Sequence, residues 1–181
     1  GEITLLICPV CGLLLSKENR TLRCEKNHSF DLAKEGYVNL LRSSKNGDLI
    51  GDDKISARCR RDFLNKGYYA PLRNALVTLF SDRQGTLLDI CCGEGYYSSR
   101  LAEHLGAELV GLDISKEAVR FAAGRYKNAQ WLCASAARLP VKDSSVGLLT
   151  SLFAITLPEE FLRVLRPDGA FIQVLAAPDH L

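Results

Sequence analysis

The sequence predicts a doubly wound α/β sheet preceded by a small metal-binding module, and three observations predict it. From Gly85 onward, short apolar runs alternate with helix-period stretches, separated by glycine-rich or polar turns. Leu87-Leu88-Asp89-Ile90 runs straight into Cys91-Cys92-Gly93-Glu94-Gly95, an acid followed by a tight glycine turn, and a second apolar run closes on Gly111-Leu112-Asp113. Near the N-terminus, Cys8, Cys11, Cys24 and His28 stand in C-x2-C-x12-C-x3-H spacing.

The first element is residues 1–42. A CxxC turn folds its backbone into a knuckle that aims two thiolates at one ion, and the second pair does the same from the far side of a hairpin. Cys8, Cys11, Cys24 and His28 then complete a closed tetrahedral zinc site, structural because no coordination position stays open. The competing reading is a redox CxxC beside an unrelated Cys and His. Zinc binding of this type contributes ~10–16 kcal/mol and replaces a core that so short a segment cannot build. Residues 30–41 read as a turn leading into a short strand, with Phe30 and Tyr37 packing on the zinc module and base stacking as the alternative.

The second element, residues 43–84, is a linker and helical connector. Ser43–Asp48 and Gly51–Asp53 form a polar loop, and Asp53 is placed to cap a helix that carries Ile55, Phe63 and Leu64 on one face and Arg58, Arg60 and Arg61 elsewhere. Gly67 breaks that run, and a second helix from Tyr68 has Leu72, Leu76, Val77, Leu79 and Phe80 as its apolar stripe. A solvated arginine face and an RNA-phosphate contact both fit the first helix.

The third element, residues 85–181, carries strands expected at 86–91, 108–113, 129–133, 146–152 and 170–175 and helices at 96–105, 116–126 and 158–165. Ligands of such sheets bind outside the carboxyl ends of the strands, where Asp89, Gly93 and Asp113 all fall. Gly93 and Gly95 let backbone approach a ligand that a Cβ excludes. Asp113 can accept both ribose hydroxyls of an adenosine, and Ser135, after the third strand, is placed to meet the adenine edge. Asp89 and Glu94 crowd the turn with negative charge. That disfavours a diphosphate and suits a cationic sulfonium ligand, S-adenosylmethionine.

Size and composition agree. The 181 residues hold one domain and an appendage, and 47% hydrophobic residues with mixed charge describe a globular chain. No apolar run approaches the ~18 residues of a membrane span, and the N-terminus has no signal-peptide pattern. Residues 1–75 carry 13 Lys and Arg against 9 Asp and Glu, residues 76–181 carry 10 against 12, and so small an excess says little alone about nucleic acid. Of seven cysteines, three belong to the metal cluster, while Cys59, Cys91, Cys92 and Cys133 sit in helix or strand-end patterns, which points to a reducing cytoplasm.

Cys8-Pro9-x-Cys11, Phe30 through Leu41, Gly67-Tyr68-Tyr69-x-Pro71-Leu72, Asp89-Ile90-x-Cys92-Gly93-Glu94-Gly95-Tyr96-Tyr97 and Arg138-Leu139-Pro140 occur in this order in one family. Across essentially its whole length the chain resembles the bacterial 23S rRNA (guanine-N1)-methyltransferases, whose catalytic part is a Rossmann-like class I methyltransferase sheet. The resemblance implies methyl transfer from S-adenosylmethionine to N1 of a guanine in a 23S rRNA hairpin that the zinc module helps to recognise. It also implies a homodimer in many members and macrolide resistance in some. Carried over by position, Cys8, Cys11, Cys24 and His28 match the zinc ligands, Gly93 and Glu94 the turn contacts to the cofactor, Tyr69 a tyrosine reaching it, and His180 a histidine near its methionine end. Asp89, Gly95, Asp113 and Ser135 rest on the general methyltransferase pattern and on the spacing.

Three departures stand out. Cys91 replaces the usual first glycine of the turn. Phe153-Ala154-Ile155 replaces Tyr-Ala-Pro after the fourth strand. The sequence ends after the fifth strand of a sheet that has seven in this class, so an incomplete sheet is expected, read either as a fragment or as a short form whose exposed edge a second copy could cover. The rival reading is a catalytically impaired zinc-containing RNA-binding protein, a truncated pseudoenzyme. The zinc module and basic helix speak against a small-molecule methyltransferase. Phe153 and Tyr69 are candidate base-stacking walls, and no residue is assigned as the base that takes the N1 proton.

Overall fold

In a computed structural model of the chain, residues 1–42, 67, 70–71, 74–75, 85–152 and 157–174 are described. The N-terminal residues form a four-stranded antiparallel ribbon, β1 (Glu2–Ile7), β2 (Leu14–Glu18), β3 (Thr21–Arg23) and β4 (Ser29–Asp31), in that spatial order. The β2–β3 hairpin pairs Glu18 with Thr21, so Asn19 and Arg20 make the turn, and Asn19 takes the positive φ of 57° that this tight reversal needs. Strand β1 was not legible in the sequence, because Leu5-Leu6-Ile7 breaks the period of two.

The second sheet is parallel throughout. Its strands are β5 (Val38–Asn39), β6 (Thr86–Ile90), β7 (Glu108–Asp113), β8 (Ala129–Cys133), β9 (Val146–Leu152) and β10 (Leu165–Val174), in the order β10-β9-β6-β7-β8-β5. The chain winds outward from β6 to β8 and then restarts at β9 on the other side of β6, so the order reverses between β6 and β9. Helices α1 (Tyr96–Leu105), α2 (Lys116–Arg125) and α3 (Pro158–Val164) follow β6, β7 and β9. All five expected strands and three expected helices of this part are present. Strand β10 begins at Leu165, five residues earlier than expected, because an irregularity in the pairing lies between Leu165 and Ala170. Helix α1 ends on Gly106, left-handed at φ 63°, and Ser115 caps α2 by accepting from the Ala118 amide at 3.3 Å.

The period of two divides the sheet into two faces. Leu87, Leu109, Trp131 and Leu148 pack with Tyr97, Leu101 and Ala102 of α1 and Val119, Ala122 and Ala123 of α2. Leu88, Ile90, Val110, Leu112, Leu132 and Leu149 share a core with Phe161 and Val164 of α3, with Leu6, Leu15 and Leu22 of the ribbon, and with Val38 and Leu40 at the β5 edge of the sheet. Ribbon and sheet therefore bury one continuous apolar cluster. Tyr37, expected to pack on the zinc module, instead joins the cluster on the other face, because the following strand β5 pairs with β8 and carries it over the sheet.

A parallel crossover usually needs a helix to cover its sheet, but residues 134–145, between β8 and β9, contain none. The ribbon occupies that place. The Ile7 amide donates to Pro140 O at 3.0 Å, the Lys142 amide donates to Leu5 O at 2.8 Å, and Leu6 and Val141 form an antiparallel bridge. The Leu40 amide donates to Cys133 O at 2.9 Å, fixing the other end of the segment. From α3, Arg163 donates to Leu139 O at 2.8 Å and Val141 O at 2.7 Å while pairing with Glu160 and Asp143. Burial opposes the Arg163 charge, but the Glu160 and Asp143 carboxylates outweigh it and raise its pKa above the usual value.

Trp131 sets the tightest packing. Its indole N–H donates to Tyr126 O at 2.8 Å and its ring lies against Gly111 of β7, where a Cβ would fall 2.4 Å from ring carbon Cζ3. Gly111→Ala is therefore expected to lower stability by about 1–3 kcal/mol, read as a lower denaturation midpoint. Gly124→Ala, at a helical glycine with open space around its Cβ position, should not lower it.

Candidate functional site

The metal cluster comes from two backbone knuckles. Cys8 N donates to Leu13 O at 2.7 Å and Gly12 N to Cys8 O at 2.8 Å, with Gly12 at φ 76°, which closes the first turn. Cys24 N donates to His28 O at 3.1 Å and Asn27, at φ 65°, closes the second. The donor atoms of Cys8, Cys11, Cys24 and His28 all lie within 4.8 Å of one another. Cys11 Sγ is 3.7 Å from Cys24 Sγ, and His28 Nδ1 is 3.3 Å from Cys24 Sγ and 3.6 Å from Cys8 Sγ. A tetrahedron with bonds of about 2.0–2.3 Å has edges of about 3.3–3.8 Å, so the set fits zinc. Burial pushes the Cys8 thiol up. Burial also raises Cys24, but hydrogen bonds from the His28 backbone and from Cys11 outweigh it and bring that thiol to about 7.

The second site lies at the carboxyl ends of β6 and β7, beside the reversal point. Asp89 is 1% exposed beneath the turn; Thr150 of β9 donates to its Oδ1 at 2.8 Å and Ser98 of α1 donates to its Oδ2. Asp89 thus ties β9, β6 and α1 together at the floor of the crevice. Above it the chain turns through Cys91 and Gly93, both left-handed at φ 60° and 58°, and Gly95 at φ 82°. Cys91 adopts there a conformation that costs a side-chain-bearing residue of order 1 kcal/mol. Asp113 is buried across the crevice. Its Oδ2 accepts the Gly93 amide at 2.8 Å and its Oδ1 the Ser115 amide at 2.9 Å. Each carboxylate oxygen keeps a second acceptor site, enough for two ribose hydroxyls, so these acceptors fit an adenosyl ligand.

Gly93, Asp113 and Ser135 come together at this end of the sheet, and Glu94 stands exposed at the rim. Ser135 is half-buried, one strand away from Asp113: Cys133 pairs with Asp113, and the Ala134 amide donates to Asp113 O at 3.1 Å. Burial, then the Asp113 carboxylate, pushes the Cys133 thiol up to about 11, so it stays protonated and donates to Ile114 O. Gly95 also has a packing reason for being glycine: a Cβ there would meet Trp131 at 2.7 Å and Ala122 at 2.8 Å, so the turn seats closely against the core. Tyr69, Phe153, His180 and the arginines at 58, 60 and 61 lie outside the described residues. Sequence reasoning missed Ser98, Ser115 and Thr150. The available signals were a serine on the buried face of α1 and a Thr-Ser pair inside an otherwise apolar strand.

Residues 6–45 match the zinc-ribbon family described as RlmA, N-terminal, and residues 87–169 match the family described as methyltransferase domain. The chain is 35% identical, over 97% of its length and 67% of the relative's, to a protein of Micromonospora griseorubida named for 23S rRNA guanine-N1 methylation. The chain belongs to the 23S rRNA (guanine-N1)-methyltransferase family. It is also 37% identical to the 23S rRNA (guanine(748)-N(1))-methyltransferase of Streptomyces fradiae, over 97% of its own length and 65% of that protein's. It therefore spans about two thirds of the length of these relatives. The class I methyltransferase fold is seen in a SAM dependent methyltransferase from Aquifex aeolicus, with TM-score 0.51 and 22% identity over 59% of this chain and 66% of that one. Among the described residues no helix is long and apolar enough to cross a membrane.

In this family member, zinc binding must displace the Cys8 proton throughout the neutral range, because that thiol is raised. Cys24, at about 7, joins the competition only below that pH. Zinc affinity, read by competition with a chromophoric chelator, is expected to rise with pH between 7 and 9 and to fall more steeply below about 7. A flat profile from pH 6 to 8 would contradict the ligand assignment.

Proposed function

We propose that the chain is an S-adenosylmethionine-dependent methyltransferase that modifies N1 of a guanine in a hairpin of 23S rRNA, working in the cytoplasm. The observation that carries this reading is the union of two sites on one core: an acid-and-glycine crevice at the reversal point of the sheet, and a Cys3His ribbon that shares its apolar cluster. Bound cofactor supplies an electrophilic methyl group on a sulfonium. Asp113 accepts the ribose hydroxyls, the turn from Gly93 to Gly95 brings backbone and the Glu94 carboxylate close, and Ser135 meets the adenine edge. Asp89 acts from below by holding the turn, and Tyr69 and His180 complete the cofactor contacts from segments outside the described residues. Cys8, Cys11, Cys24 and His28 hold a structural zinc.

The chain's own contribution to methyl transfer is alignment and exclusion of water. Guanine N1 lies on the Watson–Crick edge, so the target base is unpaired or flipped out of its stack when it reacts. Two thirds of the length of the relatives contain both the crevice and the ribbon. Residues 1–42 serve as the RNA-recognition module, 43–84 as the connector and 85–181 as the cofactor-binding part.

The test is a methyl-transfer assay with zinc-loaded chain, S-adenosylmethionine and unmodified 23S rRNA, the product digested to nucleosides and read by mass spectrometry. N1-methylguanosine is the expected product, and Asp113→Asn should weaken S-adenosylhomocysteine binding by about tenfold or more, as loss of charged hydrogen-bond acceptors does. Cofactor binding with no methylated base would leave the chain a cofactor-holding RNA-binding protein. Absence of both would sink the reading.

A further inference from the structure

The twelve residues between β8 and β9 have no helix to satisfy their backbone, yet Leu139 and Val141 are fully buried within them. Buried carbonyls need donors, and those of Leu139 and Val141 find them in a single side chain, Arg163 of α3, at 2.8 and 2.7 Å. Arg163 is itself oriented by Glu160 at 2.7 Å and Asp143 at 2.8 Å. From the opposite direction β1 of the ribbon grips the same segment, through Ile7 to Pro140 and Lys142 to Leu5. The segment starts at Ala134 and Ser135, directly beside Asp113 at the crevice.

We propose that Arg163 is a positioning residue for the cofactor: with β1 of the ribbon, it holds residues 135–142 as the adenine-side wall of the crevice. This inference rests on the reading of the crevice as an S-adenosylmethionine site. Arg163 acts through the segment it holds. It acts because its planar fork donates to two carbonyls at once, which the point charge of a lysine does not reproduce. With the fork removed, two buried carbonyls lose their partners, the segment shifts to rehydrate them, and Ser135 moves with it. Gly93 and Asp113, held by β6 and β7, stay in place. The loss therefore falls on recognition of the base and spares the ribose.

The discriminating readout is base preference. S-adenosylhomocysteine and S-inosylhomocysteine, which differ in the base alone, are titrated by calorimetry into the zinc-loaded chain and its variants. The unsubstituted chain is expected to prefer the adenine ligand. Arg163→Met should weaken adenine-ligand binding by about tenfold, the scale of hydrogen bonds to a charged group, and narrow the preference between the two ligands. Arg163→Lys keeps the charge beside Glu160 and Asp143 and so guards against a folding failure of the first variant; it should show the same narrowing to a smaller degree. An unchanged preference in Arg163→Lys, together with unchanged or uniformly weakened binding in Arg163→Met, would overturn the proposal. Failure of the unsubstituted chain to bind either ligand would overturn the cofactor reading itself and this inference with it.

Discussion

Everything in this structure depends on how one face of the parallel sheet is kept from water. The connection from β8 to β9 brings no helix, and among the described residues Leu88, Ile90, Val110, Leu112 and Leu132 are covered by the ribbon together with Phe161 and Val164 of α3. Each buried leucine-sized side chain contributes about 1.5–3 kcal/mol. The cluster the ribbon completes is therefore large compared with the margin by which a domain of this size is stable, about 5–15 kcal/mol. The ribbon cannot hold its own shape by hydrophobic burial alone, since its strands are three to six residues long, and the metal cluster supplies what is missing. Metal, ribbon and sheet are consequently links in one chain of support.

The cofactor crevice inherits that dependence. Its floor is internal to the sheet: Asp89 joins Thr150 and Ser98 across the reversal point, and Asp113 holds the turn through Gly93. Its wall at residues 135–142 is not internal, being fastened by strand β1 and by Arg163. A zinc module in an RNA-modifying enzyme is naturally read as a device for gripping RNA. Here it is also a structural part of the sheet that holds the cofactor.

The parallel sheet was legible because its information is local. Strands β6 to β9 show in short apolar runs, α1 and α2 in the helix-period stretches that follow polar or glycine-rich turns, and the metal cluster in spacing alone. What stayed hidden is long-range. Nothing in Tyr37-Val38-Asn39 tells a reader that this strand pairs with β8, more than ninety residues later, and nothing in Leu5-Leu6-Ile7 announces Val141. At Gly95 the close approach of Trp131 and Ala122 was hidden as well, because only the fold brings them to it. The Asp89 partners were invisible for the same cause: Ser98 and Thr150 become ligands of one carboxylate only when α1 and β9 close around β6.

The claim that ribbon and sheet form one supported body can be measured on the chain's single tryptophan. Trp131 is 1% exposed in the core on the face of the sheet away from the ribbon, so its fluorescence reports unfolding of the sheet and has no direct sight of the metal. Urea denaturation followed at Trp131, with zinc bound and after chelation, is predicted to give a single transition that moves to lower urea when the metal is removed. A Trp131 midpoint that stays where it was, while the ribbon alone loses structure, would show two independent units and contradict the account.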